Sequence, residues 1–153
     1  MGEEIERKFL VTGTAWKARV KGVRTRQGYL STTPGRTVRV RVAGNRGFLT
    51  VKGKTRGLSR AEFEYGIPVE DAAALLDLCK KPLIEKTRYR IPFRAHIWEV
   101  DEFHGANAGL VVAEVELENP GEKPALPPWI GREVSGEALY YNVNLVKKPF
   151  TSW

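Results

Sequence analysis

Glu4, Glu6 and Lys8 alternate along the start of the chain with Ile5, Arg7 and Phe9. Successive side chains of a strand point to opposite faces, so the two carboxylates and the lysine share one row, with Ile5 and Phe9 behind them. Adjacent carboxylates repel unless a cation lies between them. The row is therefore either a solvated edge or a pair of ligands for a hard divalent metal followed by a phosphate-seeking lysine. Taken alone, the solvated edge is the better reading.

The pattern recurs, and recurrence changes the balance. Basic rows run through Arg39-x-Arg41, Lys52-x-Lys54 and Lys86-x-Arg88-x-Arg90; acidic rows run through Glu62-x-Glu64, Glu99-x-Asp101 and Glu114-x-Glu116-x-Glu118. The residues between them are largely apolar: Val38, Val40 and Val42; Phe63 and Ile67; Tyr89 and Ile91; Trp98 and Val100; Val115 and Leu117. Those faces are expected to bury against a core. Like charges two positions apart gain nothing from each other on a solvated face, so their segregation by strand calls for a ligand. Basic rows facing carboxylate rows suit a polyanion that arrives with a divalent metal, the cations clamping phosphate oxygens and the carboxylates holding the metal.

These rows need strands to carry them. Alternation and turn signals predict eight: Glu3–Val11, Arg24–Ser31, Thr37–Ala43, Gly47–Lys54, Ala61–Pro68, Ile84–Pro92, Ala95–Phe103 and Leu110–Glu118. Pro34-Gly35, Gly44 to Gly47, Pro92 to Arg94 and Gly105 to Gly109 make short connections, so neighbouring strands are expected to be antiparallel. Helices are predicted at Thr14–Val20, with Thr14 as a cap, and at Val69–Lys80. Two short helical turns are predicted at Pro127–Val134 and from Gly136 to about Leu145. The fold class is mainly β with some α: an eight-stranded antiparallel closed barrel, its charged face inside and a few short helices outside. A barrel of this size holds side chains or one small ligand.

Composition sets the outer bounds. A chain of 153 residues is long enough for one domain with a substantial core, expected to span residues 1–153. Its 42% hydrophobic and 28% charged content is that of a soluble globular protein, and no apolar run is long enough to span a bilayer. The acidic start running into a strand argues against a secretory signal, so a cytoplasmic location is expected. Cys79, the single cysteine, is expected to be buried in the 69–80 helix region, and His96 and His104 to serve turns or the surface. A net charge of +7 implies an anionic partner. Acids interleaved with bases favour a small metal-chelated phosphate over nucleic acid or a membrane; a homodimer is left open.

The ordered series resembles the CYTH family of triphosphate tunnel metalloenzymes. The similarity runs through Glu4-x-Glu6-x-Lys8, Gln27-Gly28-Tyr29-Leu30, Arg39-x-Arg41, Lys52, Glu62-x-Glu64, Lys86-x-Arg88, Asp101, Glu114-x-Glu116 and Tyr140-Tyr141-Asn142, nearly the whole chain. The resemblance implies an eight-stranded tunnel, triphosphate substrates and dependence on Mg2+ or Mn2+. It implies Glu4, Glu6 and Glu116 as ligands of the catalytic metal, with Asp101 and Glu114 completing the metal-holding side. Glu62 and Glu64 are implied to act on the attacking water or a second metal. Lys8, Arg39, Arg41, Lys52, Arg88 and Arg90 are implied as the phosphate clamp, and Lys86 as a further clamp residue or one acting on the water. Tyr140 and Asn142 read as packing residues, with closure of one tunnel mouth as the alternative.

Members of the family include inorganic triphosphatases, thiamine triphosphatases, class IV adenylate cyclases and RNA triphosphatases. No insert that would hold a base or a thiazole ring is evident in this sequence, which favours inorganic triphosphate cleaved to pyrophosphate and phosphate. A cyclase forming cyclic AMP is the nearest rival, and a non-catalytic polyphosphate-binding module is disfavoured because pure binding would not require so many acids.

Overall fold

The computed structural model describes residues 2–153. Its strands are β1 (Gly2–Val11), β2 (Val23–Thr33), β3 (Arg36–Ala43), β4 (Arg46–Lys52), β5 (Ser59–Ile67), β6 (Ile84–Phe93), β7 (His96–Phe103), β8 (Val111–Glu116) and β9 (Ile130–Glu133). They pair in the order β5-β4-β3-β2-β6-β7-β8-β1, and β5 pairs back onto β1. Eight antiparallel strands thus close into a barrel, with β9 added on the other stretch of β1. Among the described residues the α-helices are α1 (Val69–Leu76) and α2 (Asn142–Lys147), and neither is long and apolar enough to cross a membrane. Gly35 and Gly44 hold φ of 80° and 59° at the β2–β3 and β3–β4 turns, values that residues with a side chain adopt rarely.

Within Pro127–Val134, where the sequence predicted a helical turn, Ile130–Glu133 form a strand. Only Gly2–Ile5 of β1 pair with β5, and β1 continues to Val11. The backbone groups beyond Ile5 would be left unpaired on that side. β9 pairs there, Phe9 opposite Glu133 and Val11 opposite Ile130. The other helix expectations shorten: Ala15–Ala18 is a 3-10 turn to which Thr14 gives no side-chain cap, and α1 tightens after Leu76 into i→i+3 bonds through Cys79.

The apolar core lies outside the barrel wall. Ile5, Phe9, Ile91, Trp98, Val100 and Val115 face outward beneath Trp16 and Trp129, while Val40 is covered by Ala72, Leu76 and Cys79 of the α1 region. The cover is incomplete: Phe63 and Tyr65, on the outer face of β5, are 48% and 58% exposed, so the expected burial of Phe63 does not occur.

Each inward row changes character toward one end. Lys8 is followed by Leu10, Lys86 is preceded by Ile84, Asp101 is followed by Phe103 and Glu114 is preceded by Val112. These apolar residues meet Val134, Tyr140, Leu145 and Val146 of the C-terminal segment. That segment closes the end of the barrel because the wall there offers it an apolar seat.

Candidate active site

The inward rows enclose a cavity of about 260 Å³. β1 contributes Glu4, Glu6 and Lys8, β3 contributes Arg39 and Arg41, and β4 contributes Lys52. Glu62 and Glu64 come from β5, Lys86 and Arg88 from β6, Glu114 and Glu116 from β8. Two residues of the expected set stand apart. Arg90 has the right parity but lies toward the β6–β7 end, its side chain 65% exposed, with Glu99 3.5 Å away as its one ion-pair partner among the described residues. Asp101 is 2% exposed and does not line the cavity; both its oxygens are occupied by Lys86 and Arg88. Arg60 lines the cavity and was not singled out from the sequence, although it shares parity with Glu62 and Glu64. Ser135, also lining, carried no signal, because it arrives from the C-terminal segment.

Seven basic and seven acidic side chains surround the space when Arg60 and Glu99 are included. Arg39 and Arg41 each place Nη2 3.2 Å from Glu64 Oε1, which also accepts the Thr50 hydroxyl at 2.9 Å. Burial, then the neighbouring Arg39 and Arg88, pull Arg41 down to about 10, so this corner holds more positive charge than Glu64 neutralises. Lys52 Nζ bridges two carboxylates, 3.1 Å from Glu4 Oε1 and 3.2 Å from Glu62 Oε2. Among the described residues, Arg60 alone of the lining cations has no carboxylate within 4 Å. The Nε groups of Arg39, Arg41 and Arg60 are buried without an acceptor. A cluster of guanidinium groups with more positive charge than its carboxylates neutralise favours an anion in the cavity.

Charge on the acidic side is equally unresolved. Burial, then Glu114 and Glu4, push the Glu6 carboxyl well above its usual range. Burial acts the same way on Glu114, but Lys8, Arg88 and Lys86 override it and hold that group well below the usual range. A proton taken up by this pair therefore favours Glu6 over Glu114. Burial followed by Glu4 raises Glu62, and burial followed by Glu4 and Glu99 raises Glu116. Among the described residues no three metal-ligating side chains converge into a ready-made centre. The donor chemistry nonetheless fits a hard divalent cation: oxygen ligands only, with Glu4 and Glu114 close enough to Glu6 that each carboxylate's charge raises the Glu6 carboxyl.

Near the closed end, Lys86 is 1% exposed. Its Nζ donates to Asp101 Oδ2 at 2.8 Å and to Asn142 Oδ1 at 3.1 Å. Burial lowers its affinity for a proton, and Asp101 opposes that only in part, leaving it at about 8. Arg88 binds Asp101 through Nε at 2.7 Å and reaches Glu114 and Glu99 at 3.1 and 3.3 Å. Lys8 lies 3.4 Å from Glu114 Oε2 and over the Tyr141 ring.

Residues 2–150 match the model of the CYTH domain. An inorganic triphosphatase of Acetivibrio thermocellus is 52% identical over 154 residues, covering 100% of this chain and 99% of its own length. An inorganic triphosphatase of Nitrosomonas europaea is 38% identical over 144 residues, covering 91% and 93%. The solved structure of an inorganic triphosphatase superposes with a TM-score of 0.67 at 33% identity, covering 94% of this chain and 93% of that one.

Proposed function

We propose that this chain, which belongs to the CYTH domain family, hydrolyses inorganic triphosphate to pyrophosphate and phosphate inside its barrel. The observation that carries the reading is one cavity lined by seven cations and seven carboxylates, in which Arg60 has no carboxylate within 4 Å among the described residues. A bare polyanion would be repelled by the carboxylates and a bare metal by the cations; a metal-chelated triphosphate satisfies both.

Cavity size argues for the inorganic substrate. About 260 Å³ falls below the roughly 300–1,000 Å³ typical of sites for drug-sized ligands. Tyr29 and Tyr141 are its only aromatic lining residues among those described, and Tyr141 already lies 5.8 Å from the Lys8 ammonium. A nucleoside would find little room and no free platform.

In the mechanism, phosphoryl transfer demands positioning and charge neutralisation more than covalent help. Arg39, Arg41, Lys52, Arg60 and Arg88 hold phosphate oxygens, with Lys8 and Lys86 at the closed end. Glu64 keeps Arg39 and Arg41 aligned, and Asp101 does the same for Lys86 and Arg88. Glu62, whose affinity for a proton is raised, orients the attacking water. Glu4, Glu6, Glu114 and Glu116 would hold Mg2+ or Mn2+, which when bound supplies charge neutralisation at phosphate oxygens.

The test is metal-dependent turnover of inorganic triphosphate, ATP, thiamine triphosphate and pyrophosphate side by side. The expected result is the highest kcat/KM on inorganic triphosphate, with equal amounts of phosphate and pyrophosphate formed. Faster production of cyclic AMP from ATP would replace this reading with a cyclase.

A further inference from the structure

Asn142 enters the tunnel floor from outside the barrel wall. It is the first residue of α2, carried there by a segment seated on Tyr29, Ile84, Phe103 and Val112. Its Oδ1 receives two donors, Gln27 Nε2 at 3.0 Å and Lys86 Nζ at 3.1 Å. Gln27 is fully buried against Asn142, and an ammonium such as Lys86 can only donate. With a donor on each side, the Asn142 amide must turn its oxygen and not its nitrogen toward Lys86.

This settles the direction of an ammonium. A lysine ammonium has three N–H bonds at tetrahedral angles. Asp101 takes one at 2.8 Å and Asn142 takes the second. With two directions set, the third follows, and Lys86 lines the cavity. Without Asn142, the ammonium could rotate about its single remaining bond to Asp101.

We infer that Asn142 is a positioning residue, aiming the third Lys86 N–H at a phosphate oxygen of the substrate. Through it the C-terminal segment becomes part of the reaction site and not merely its stopper. The inference rests on the triphosphatase reading for its kinetic consequence. The contact itself does not depend on that reading.

Two variants and two readouts test it. Asn142→Ala removes the acceptor; Asn142→Asp keeps an oxygen for both Gln27 and Lys86 while adding a negative charge. On inorganic triphosphate, Asn142→Ala is expected to lower kcat about ten- to hundredfold with KM within about threefold, the signature of lost alignment. Asn142→Asp is expected to keep kcat within about threefold and raise KM, because the added charge repels phosphate. Independently of substrate, the Lys86 ammonium should give a slowly exchanging 15N–1H NMR signal, lost or displaced in Asn142→Ala and retained in Asn142→Asp. An unchanged signal in Asn142→Ala, or equal loss of kcat in both variants, overturns the inference. If Asn142→Ala does not fold, Asn142→Asp decides alone: kcat kept with KM raised supports it, and kcat lost overturns it. A wild-type protein inactive on triphosphate would defeat the proposed function while leaving the NMR comparison to judge this contact.

Discussion

Lys52 lies between Glu4 and Glu62, its ammonium 3.1 Å from one carboxylate and 3.2 Å from the other. A cation of the phosphate-binding row thus sits where a divalent metal would be drawn. Metal and lysine compete for the same oxygens, and substrate phosphate gives the lysine somewhere else to go. Lys52→Gln should therefore tighten Mn2+ binding to the substrate-free protein, about three- to tenfold by calorimetric titration, while raising KM for triphosphate. Weaker metal binding in the variant would show that Lys52 supports the carboxylates and does not compete for them.

Glu4 and Glu6 differ in what neutralisation does to stability. Glu6 titrates well above its ordinary value of 4.5, so the folded state binds its proton more tightly than the unfolded chain. Its favourable contribution is present below that ordinary value and is lost as pH rises through the folded one. Glu6→Gln should raise Tm by roughly 2–4 °C at pH 8 without metal, which corresponds to about 1 kcal/mol, and change it little at pH 4. Glu4→Gln should show no such gain, because it breaks the Lys52 ion pair. Thermal scans at the two pH values check both, and activity should be lost in each variant.

The arginines that line the cavity should matter most when substrate is present. Arg39→Ala, Arg41→Ala and Arg60→Ala should each lower kcat/KM by about 2–4 kcal/mol, roughly thirtyfold to a thousandfold. Arg60→Ala should cost little stability, since it breaks no ion pair with a carboxylate. Lys123→Ala and Lys147→Ala, on the surface, should leave kcat/KM within about twofold. Parity between the two groups of variants would mean that bulk charge, and not a lined tunnel, attracts the phosphate.

Asp101 should behave as a keystone of the fold. Burial disfavours its charge, but Arg88 and Lys86 outweigh burial and hold it below the ordinary value of 3.8. Its stabilising contribution is therefore present above that value and is lost as pH falls through the lower, folded one. Asp101→Asn would leave Lys86 and Arg88 buried without their shared partner, at a cost of about 3–5 kcal/mol. Denaturant melts should show that loss at pH 7 and a smaller one below pH 3, so the acid limb of the stability profile flattens. A loss independent of pH would point to packing and not to the ion pairs.

Side-chain alternation was enough to sort the inside of this barrel from the outside. The pleat has a period of two whatever surrounds it, so Glu4, Glu6 and Lys8, or Arg39 and Arg41, had to share a face once their strands formed. The eight barrel strands and their antiparallel order followed from local turn signals such as Pro34-Gly35 and Gly44. Depth was different, because it depends on stagger between strands and on where the wall ends, neither of which is local. Arg90 and Arg88 share parity, yet Arg90 is largely exposed and Arg88 lines the cavity; Asp101 and Glu99 share parity, yet only Glu99 meets the cavity. Arg60 joined the lining because β5 begins at Ser59, two residues before the predicted start, and pairs Arg60 with Glu4 of β1. β9 formed because β1 outran its partner, a shortage visible only after the strands paired. The closing segment lay furthest from sequence reasoning: Asn142 reaches Lys86 across 56 residues of chain, and what brings it there is the apolar seat that the closed barrel offers Leu145 and Val146.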